Sequence, residues 1–156
     1  MSRADRFGAA LDQVLQLVVL LNDDMTRSLA RDGLTTSRAH VLWELSQRGP
    51  STQRTLAEAL GVSARTVTGL IDGLAATGFV TRESHPTDRR ATLVTFTEHG
   101  TKIATALQHG QRELSQLLFA GMPAARFDCF VDGLGHVLAR LHEHGLTLPT
   151  GDGDDQ

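Results

Sequence analysis

Thr52-Gln-Arg-Thr-Leu-Ala-Glu-Ala-Leu-Gly-Val-Ser-Ala-Arg-Thr-Val-Thr-Gly-Leu-Ile-Asp72 is the stretch whose reading decides the fold of this chain. Leu56, Ala57 and Leu60 share one helical face. Gly61 then stops the helix, because glycine tolerates the left-handed backbone that a tight helix-helix corner needs. Val62 tucks into the corner, and Ser63 can cap the next helix by accepting a bond from an unpaired backbone N–H. In that second helix Val67, Leu70, Ile71 and Leu74 fall at i, i+3, i+4 and i+7, which predicts one buried stripe. The opposite face carries Ala64, Arg65, Thr66, Thr68, Gly69 and Asp72, small or polar side chains with one arginine. A helix lying in the major groove of DNA wants such a face, since bulky side chains would hold it off the bases while arginine can contact guanine bidentately.

Working outward, Gly78 ends the second helix, and Phe79-Val-Thr-Arg-Glu and Ala91-Thr-Leu-Val-Thr-Phe read as strands rich in β-branched and aromatic residues. Ser84-His-Pro-Thr-Asp-Arg-Arg between them is a polar turn suited to a hairpin tip. Two helices, a corner and such a hairpin make a winged helix-turn-helix. Paired arginines at the tip suit a minor groove, whose negative potential attracts guanidinium groups. Asp88, two residues before Arg90, can hold that side chain in position. Gly69 and Gly73 each cost a helix about 1 kcal/mol relative to alanine. Either the helix approaches DNA or the wing closely there, or it packs tightly on a neighbour.

Leu34-Thr35 followed by Val41-Leu42, then Leu56-Ala57 and Leu60-Gly61-Val62-Ser63, then Gly78-Phe79-Val80, then Asp88-Arg89-Arg90 with Leu93 and Thr97-Glu98-His99-Gly100, resembles the MarR family of bacterial transcriptional regulators. The wing pattern, Asp-x-Arg followed by Leu-x-x-x-Thr-x-x-Gly, discriminates far better than a helix-turn-helix alone. By position, Asp88 and Arg90 match the family's wing pair, in which the aspartate orients an arginine toward the minor groove. Arg38 stands where many members have glutamine. The resemblance implies a homodimeric regulator of double-stranded DNA; with the residues read above, the candidate contacts are Ser63, Arg65, Thr66 and Thr68 on the recognition helix and Asp88, Arg89 and Arg90 on the wing. Repression is the simpler mode, needing only occupancy of an operator.

Composition agrees with one compact unit or one protomer of an interlocked dimer: 156 residues, 15 Lys and Arg against 18 Asp and Glu. Between Thr36 and Gly100 the count is seven basic to six acidic, a local balance of +1 that leaves −4 for the rest. That balance is not the balance of a protein that coats nucleic acid indiscriminately; specific recognition needs only a few convergent cations. The longest apolar run, Leu17 to Leu21, is too short to span a membrane, and the start of the chain lacks a secretory core, so a cytoplasmic location is expected. One cysteine excludes an internal disulfide framework.

Phe7, Leu11, Val14, Val18, Leu21, Met25 and Leu29 advance in steps of three and four and predict a long amphipathic helix from Phe7 to about Ala30. Phe127, Phe130, Val131, Leu134, Val137, Leu138 and Leu141 predict another. Between them, Thr97 caps a helix carrying Ile103, Ala106, Leu107, Leu114, Leu117 and Leu118, ended by Gly121-Met-Pro. The expected fold is mainly α with a small β-hairpin wing. Residues 36–96 form the winged helix-turn-helix, 1–35 and 97–148 a helical dimerisation region, and 149–156 a disordered tail. These stripes either close on one another within the chain or intertwine with a second copy, which the resemblance favours.

No nucleophile elbow, phosphate-cradling glycine loop or His-Glu-x-x-His helix is present, so an enzyme is not expected. The alternative of another class is a winged-helix protein-docking module. The resemblance further implies a small-molecule effector, often an aromatic anion, bound where the dimerisation helices meet the winged domain. His40 and Trp43 are the candidates to line that pocket, although tryptophan at this spacing also reads as core. No cofactor and no metal are expected. His109 and Glu113, four apart, could pair as metal ligands with His40, but a fourth ligand is not identifiable, and His142 and His144 diverge. Cys129, between Phe127 and Phe130, reads as a small buried residue, not a reactive thiol.

Overall fold

The computed structural model describes residues 2–146, so the expected tail 149–156 lies outside the described residues. The order is α1 (Arg3–Arg31), α2 (Thr36–Arg48), β1 (Ser51–Thr52), α3 (Gln53–Leu60), α4 (Ala64–Ala76), β2 (Val80–Ser84), β3 (Thr92–Phe96), α5 (Glu98–Phe119) and α6 (Ala124–Glu143). This is the mainly helical winged helix-turn-helix that the sequence predicts. The chain divides into two compact units at His40–Val41.

The first unit is built on α1. A capping box starts it: Asp5 N–H donates to Ser2 Oγ at 3.1 Å, and Ser2 N–H donates to Asp5 Oδ2 at 2.7 Å. Hydrogen bonds to its carboxylate from Ser2, first from the backbone N–H and then from the side chain, hold the Asp5 carboxyl below its ordinary range. At the far end Gly33 takes φ 70° and Leu34 N–H reaches back to Leu29 O at 2.9 Å, which satisfies a terminal carbonyl. Thr35 Oγ1 then accepts from Arg38 N–H at 3.3 Å and starts α2.

In the second unit the core gathers Val41, Leu42 and Leu45 of α2, Leu56 of α3, Val67, Ile71 and Leu74 of α4, and Phe79, Val80 and Val94 of the sheet. Leu70, expected in the α4 stripe, is only half-buried, because it sits at the stripe's margin. Gly61 has the left-handed conformation (φ 67°, ψ 29°) that lets α3 turn into α4. Ser63 Oγ accepts from Thr66 N–H at 3.1 Å and caps α4 as predicted.

The hairpin β2–β3 is antiparallel, with Val80 opposite Phe96 and Ser84 opposite Thr92. A third strand, which the sequence pattern does not announce, pairs with the other side of β3: Ser51 opposite Val94 and Thr52 opposite Leu93. β1 is only two residues long, and Thr52 serves immediately as the cap of α3. No alternation of side chains can mark a strand that short.

Thr97 binds the wing to α5. Its hydroxyl donates to Gly78 O at 2.6 Å and accepts from Gly100 N–H at 2.9 Å, while its own N–H donates to Phe79 O at 3.1 Å. Gly100 must be glycine here: a Cβ would lie 1.8 Å from Phe79 O. The Thr-x-x-Gly spacing is therefore a packing device at the foot of the wing.

Beyond it, α5 and α6 meet through Phe119, whose ring lies 5.5 Å from Phe127 and 5.8 Å from Phe130. α6 has no buried residue. Cys129 is consequently exposed in the single chain, correcting the expectation of a buried thiol. No helix among the described residues is long and apolar enough to cross a membrane.

Candidate nucleic-acid interface

The outer face of α4 is small, polar and open. Ala64, Arg65, Gly69 and Asp72 are exposed, and Thr66 and Thr68 half-buried. A Cβ at Gly69 would meet nothing within 4 Å, so tight packing within the chain does not require glycine there. Two hydroxyls of this face are already engaged. Thr66 Oγ1 lies 2.9 Å from Ser63 Oγ, and Thr68 Oγ1 donates to Ala64 O at 2.8 Å. Ser63 and Thr66 thus hold the first turn together while facing solvent.

At the wing tip the hairpin is closed by its own side chains. His85 Nδ1 accepts from the backbone N–H groups of Thr87 and Asp88 at 3.2 and 3.1 Å, so it acts as the acceptor that an Asx turn would use. That geometry requires Nδ1 to be unprotonated. Asp88 Oδ1 then accepts from Arg90 N–H at 2.9 Å, and Ala91 N–H returns to Asp88 O at 3.1 Å. Asp88 therefore sets the backbone from which Arg90 projects, and does so through the main chain. No ion pair joins it to a guanidinium among the described residues.

Charge pairing separates the arginines. Arg48, Arg54 and Arg82 are each held by a carboxylate, of Glu44 at 2.8 Å, Glu58 at 3.1 Å and Asp72 at 2.5 Å. Arg65, Arg89 and Arg90 are exposed and enter no ion pair among the described residues. On α4 and the wing tip these three are free to meet phosphates.

Two residues that sequence reasoning missed join α4 to the wing. Arg82 Nε donates to Gln53 Oε1 at 3.1 Å, and Gln53 Nε2 donates to Thr68 Oγ1 at 2.9 Å. A signal was available. Arg82 lies two residues beyond Val80, on the same side of the strand, and opposite the buried Val94. A cation on the helix-facing side of a sheet calls for a partner.

Trp43 is 42% exposed, so it is not core in the single chain. With Gln47 of α2 and Gln108, Gln111, Arg112 and Ser115 of α5 it lines an open pocket of about 290 Å³. His40 is exposed on the same helix and is not among the lining residues. His109 Nδ1 and Glu113 Oε2 approach to 3.4 Å, the predicted juxtaposition, but no group of three metal-ligating side chains gathers among the described residues.

A family model, described as MarR family, matches residues 34–92, from just before α2 to the first residue of β3. The HTH-type transcriptional regulator YpoP of Bacillus subtilis, itself uncharacterized, is 31% identical over 112 residues, covering 72% of this chain and 70% of that protein. The chain belongs to the MarR family. It is a DNA-binding transcriptional regulator and not an enzyme, and the protein-docking alternative falls with that assignment. A second relative, the HTH-type transcriptional repressor NicR of Pseudomonas putida, is 32% identical over 91 residues, or 58% of each chain. The fold is shared with Streptococcus pneumoniae FabT, solved in complex with DNA: TM-score 0.73 at 18% identity, over 90% of this chain and 98% of that one.

Proposed function

We propose that this MarR-family chain is a homodimeric repressor that reads a palindromic operator with paired α4 helices and wings, and that a small-molecule effector releases it. The observation that carries this reading is the open, polar face of α4 beside a self-closed wing, with Arg65, Arg89 and Arg90 free of carboxylate partners among the described residues. Ser63, Thr66 and Thr68 complete the α4 surface and Asp88 the wing. The name of NicR as a repressor supports the sign of the response. Exposed apolar positions along α1, such as Phe7, Leu11 and Val18, and along α6 support a second copy as partner, with residues 1–35 and 97–148 as the dimerisation region and 36–96 as the reader. A two-fold dimer presents its recognition helices to half-sites about one helical turn apart.

Selection of bound fragments from genomic DNA tests this reading, and a palindromic motif is the expected result. Against that motif, Arg90→Ala should weaken binding by about 1–3 kcal/mol for each groove interaction it abolishes, whereas Arg65→Ala should relax the preference at one base position in each half-site. Unchanged affinity for the first variant, or an unchanged base profile for the second, would remove that residue from the interface.

The pocket at Trp43 supports the effector part of the proposal. An indole wall, three amides and a guanidinium suit a planar anion, which the ring can stack on and Arg112 can pair with. The chain has one tryptophan and no tyrosine, so emission from Trp43 reports on this pocket alone. A panel of aromatic carboxylates beginning with benzoate should contain a member that both quenches Trp43 and raises the operator Kd, with Arg112→Ala abolishing both effects. Release of DNA with Trp43 emission unaltered would place the effector elsewhere.

A further inference from the structure

Among the described residues, the ion pairs of arginine and lysine join positions three or four apart on one helix, with a single exception. Arg82 with Asp72 is that exception: it ties the wing strand β2 to the recognition helix α4. The same guanidinium donates from Nε to Gln53 Oε1, at the first residue of α3. Gln53 in turn donates to Thr68, and Thr68 to Ala64 O in the first turn of α4. The amide orientation is forced, since a flipped Gln53 would set its NH₂ against the donors of Arg82. One planar fork thus fixes three elements at once.

Stability is not where this network has its main effect. The Arg82 side chain is 33% exposed and that of Asp72 61%, a setting in which an ion pair contributes little to the folded state. What it controls is geometry and charge on the outer face of α4. Thr68 and Asp72 belong to that face, and Asp72 without a partner would repel phosphate. Arg82 supplies the opposite charge and, through Gln53, a fixed spacing between α4 and β2.

We propose that Arg82 is a positioning residue for DNA recognition: acting through Gln53 and Asp72, it locks α4 to the wing so that helix and wing tip meet the two grooves as one rigid reader. The inference rests on the reading above that α4 and the wing contact DNA. Arg82→Lys is the discriminating substitution, because an ammonium keeps the charge but cannot offer two donors in the fixed plane of the guanidinium.

The test compares wild type, Arg82→Lys, Arg82→Ala and the double variant Arg82→Ala/Asp72→Asn, each in full-length protein. The measurements are melting temperature, the salt dependence of binding, and affinity for the selected operator relative to random DNA. Arg82→Lys should melt close to wild type and keep its salt slope, yet its preference for operator over random DNA should fall roughly tenfold, the equivalent of one misplaced base contact. The double variant should regain the overall affinity that Arg82→Ala forfeits through an uncompensated Asp72, without regaining the preference. Wild-type preference in Arg82→Lys and Arg82→Ala, or equal weakening on operator and random DNA, overturns the positioning role while leaving the DNA-reading proposal intact. If wild type itself selects no preferred site, that proposal fails and the Arg82 role with it.

Discussion

Gly100→Ala should destabilise the protein by about 3 kcal/mol, the upper end of what an inserted methyl group does in a packed interior. Helix propensity predicts the opposite sign, since alanine is favoured over glycine by about 1 kcal/mol within a helix. The local packing decides between them. A Cβ at Gly100 falls 1.8 Å from Phe79 O, 2.8 Å from Phe79 C and 3.1 Å from Phe96 Cδ1. The first two atoms are main chain and cannot rotate away, so either α5 or the start of β2 must shift. Any such shift strains the bonds of Thr97 to Gly78 O, Phe79 O and Gly100 N–H. Urea denaturation measures the change. Gly69→Ala, on the open face of α4, is the matched control and should be neutral or stabilising by up to about 1 kcal/mol. A Gly100→Ala protein as stable as Gly69→Ala would mean that α5 does not pass so close to the wing.

The legible part of this fold is the part set by neighbours in sequence. Gly61 and Gly78 end helices with φ of 67° and 81°, and Ser63 and Thr97 cap the helices that follow, because each event involves residues within about four positions. The wing hairpin is of the same kind. What escapes the sequence depends on distant partners. β1 exists only because β3 offers its free edge to Ser51 and Thr52. Gln53 is an ordinary polar residue until Arg82, 29 positions on, meets it. Asp88 is legible as the organiser of Arg90, but the route through the Arg90 backbone N–H is not. Cys129 and Trp43 read as core residues by their apolar spacing, and both are exposed in the single chain. A helical stripe shows which face wants cover. It does not say whether the same chain provides it.

That distinction bears directly on Leu134→Glu, which should convert the proposed dimer to a monomer and lower operator affinity by at least about a hundredfold, as expected when two linked half-site interactions become independent. Phe130, Val131, Leu134, Val137, Leu138 and Leu141 lie between 38 and 49% exposed, and α6 contributes no buried residue. A face of six large apolar side chains on one helix exceeds what a soluble monomer normally leaves in water. If a second copy covers it, the carboxylate introduced at position 134 is desolvated without a partner, at a cost of several kcal/mol for each chain of the pair. Leu134→Ala removes packing without adding charge, so it should weaken the dimer far less. Sedimentation gives the oligomeric state, and the melting temperature gives an independent check. Wild type should melt higher as its concentration rises, because dissociation accompanies unfolding, whereas Leu134→Glu should show no such dependence. A Leu134→Glu protein that sediments as a dimer and binds the operator with wild-type affinity would show that α6 faces solvent in the assembled protein, and the seam between copies would then have to be sought along α1, where Phe7, Leu11 and Val18 are exposed as well.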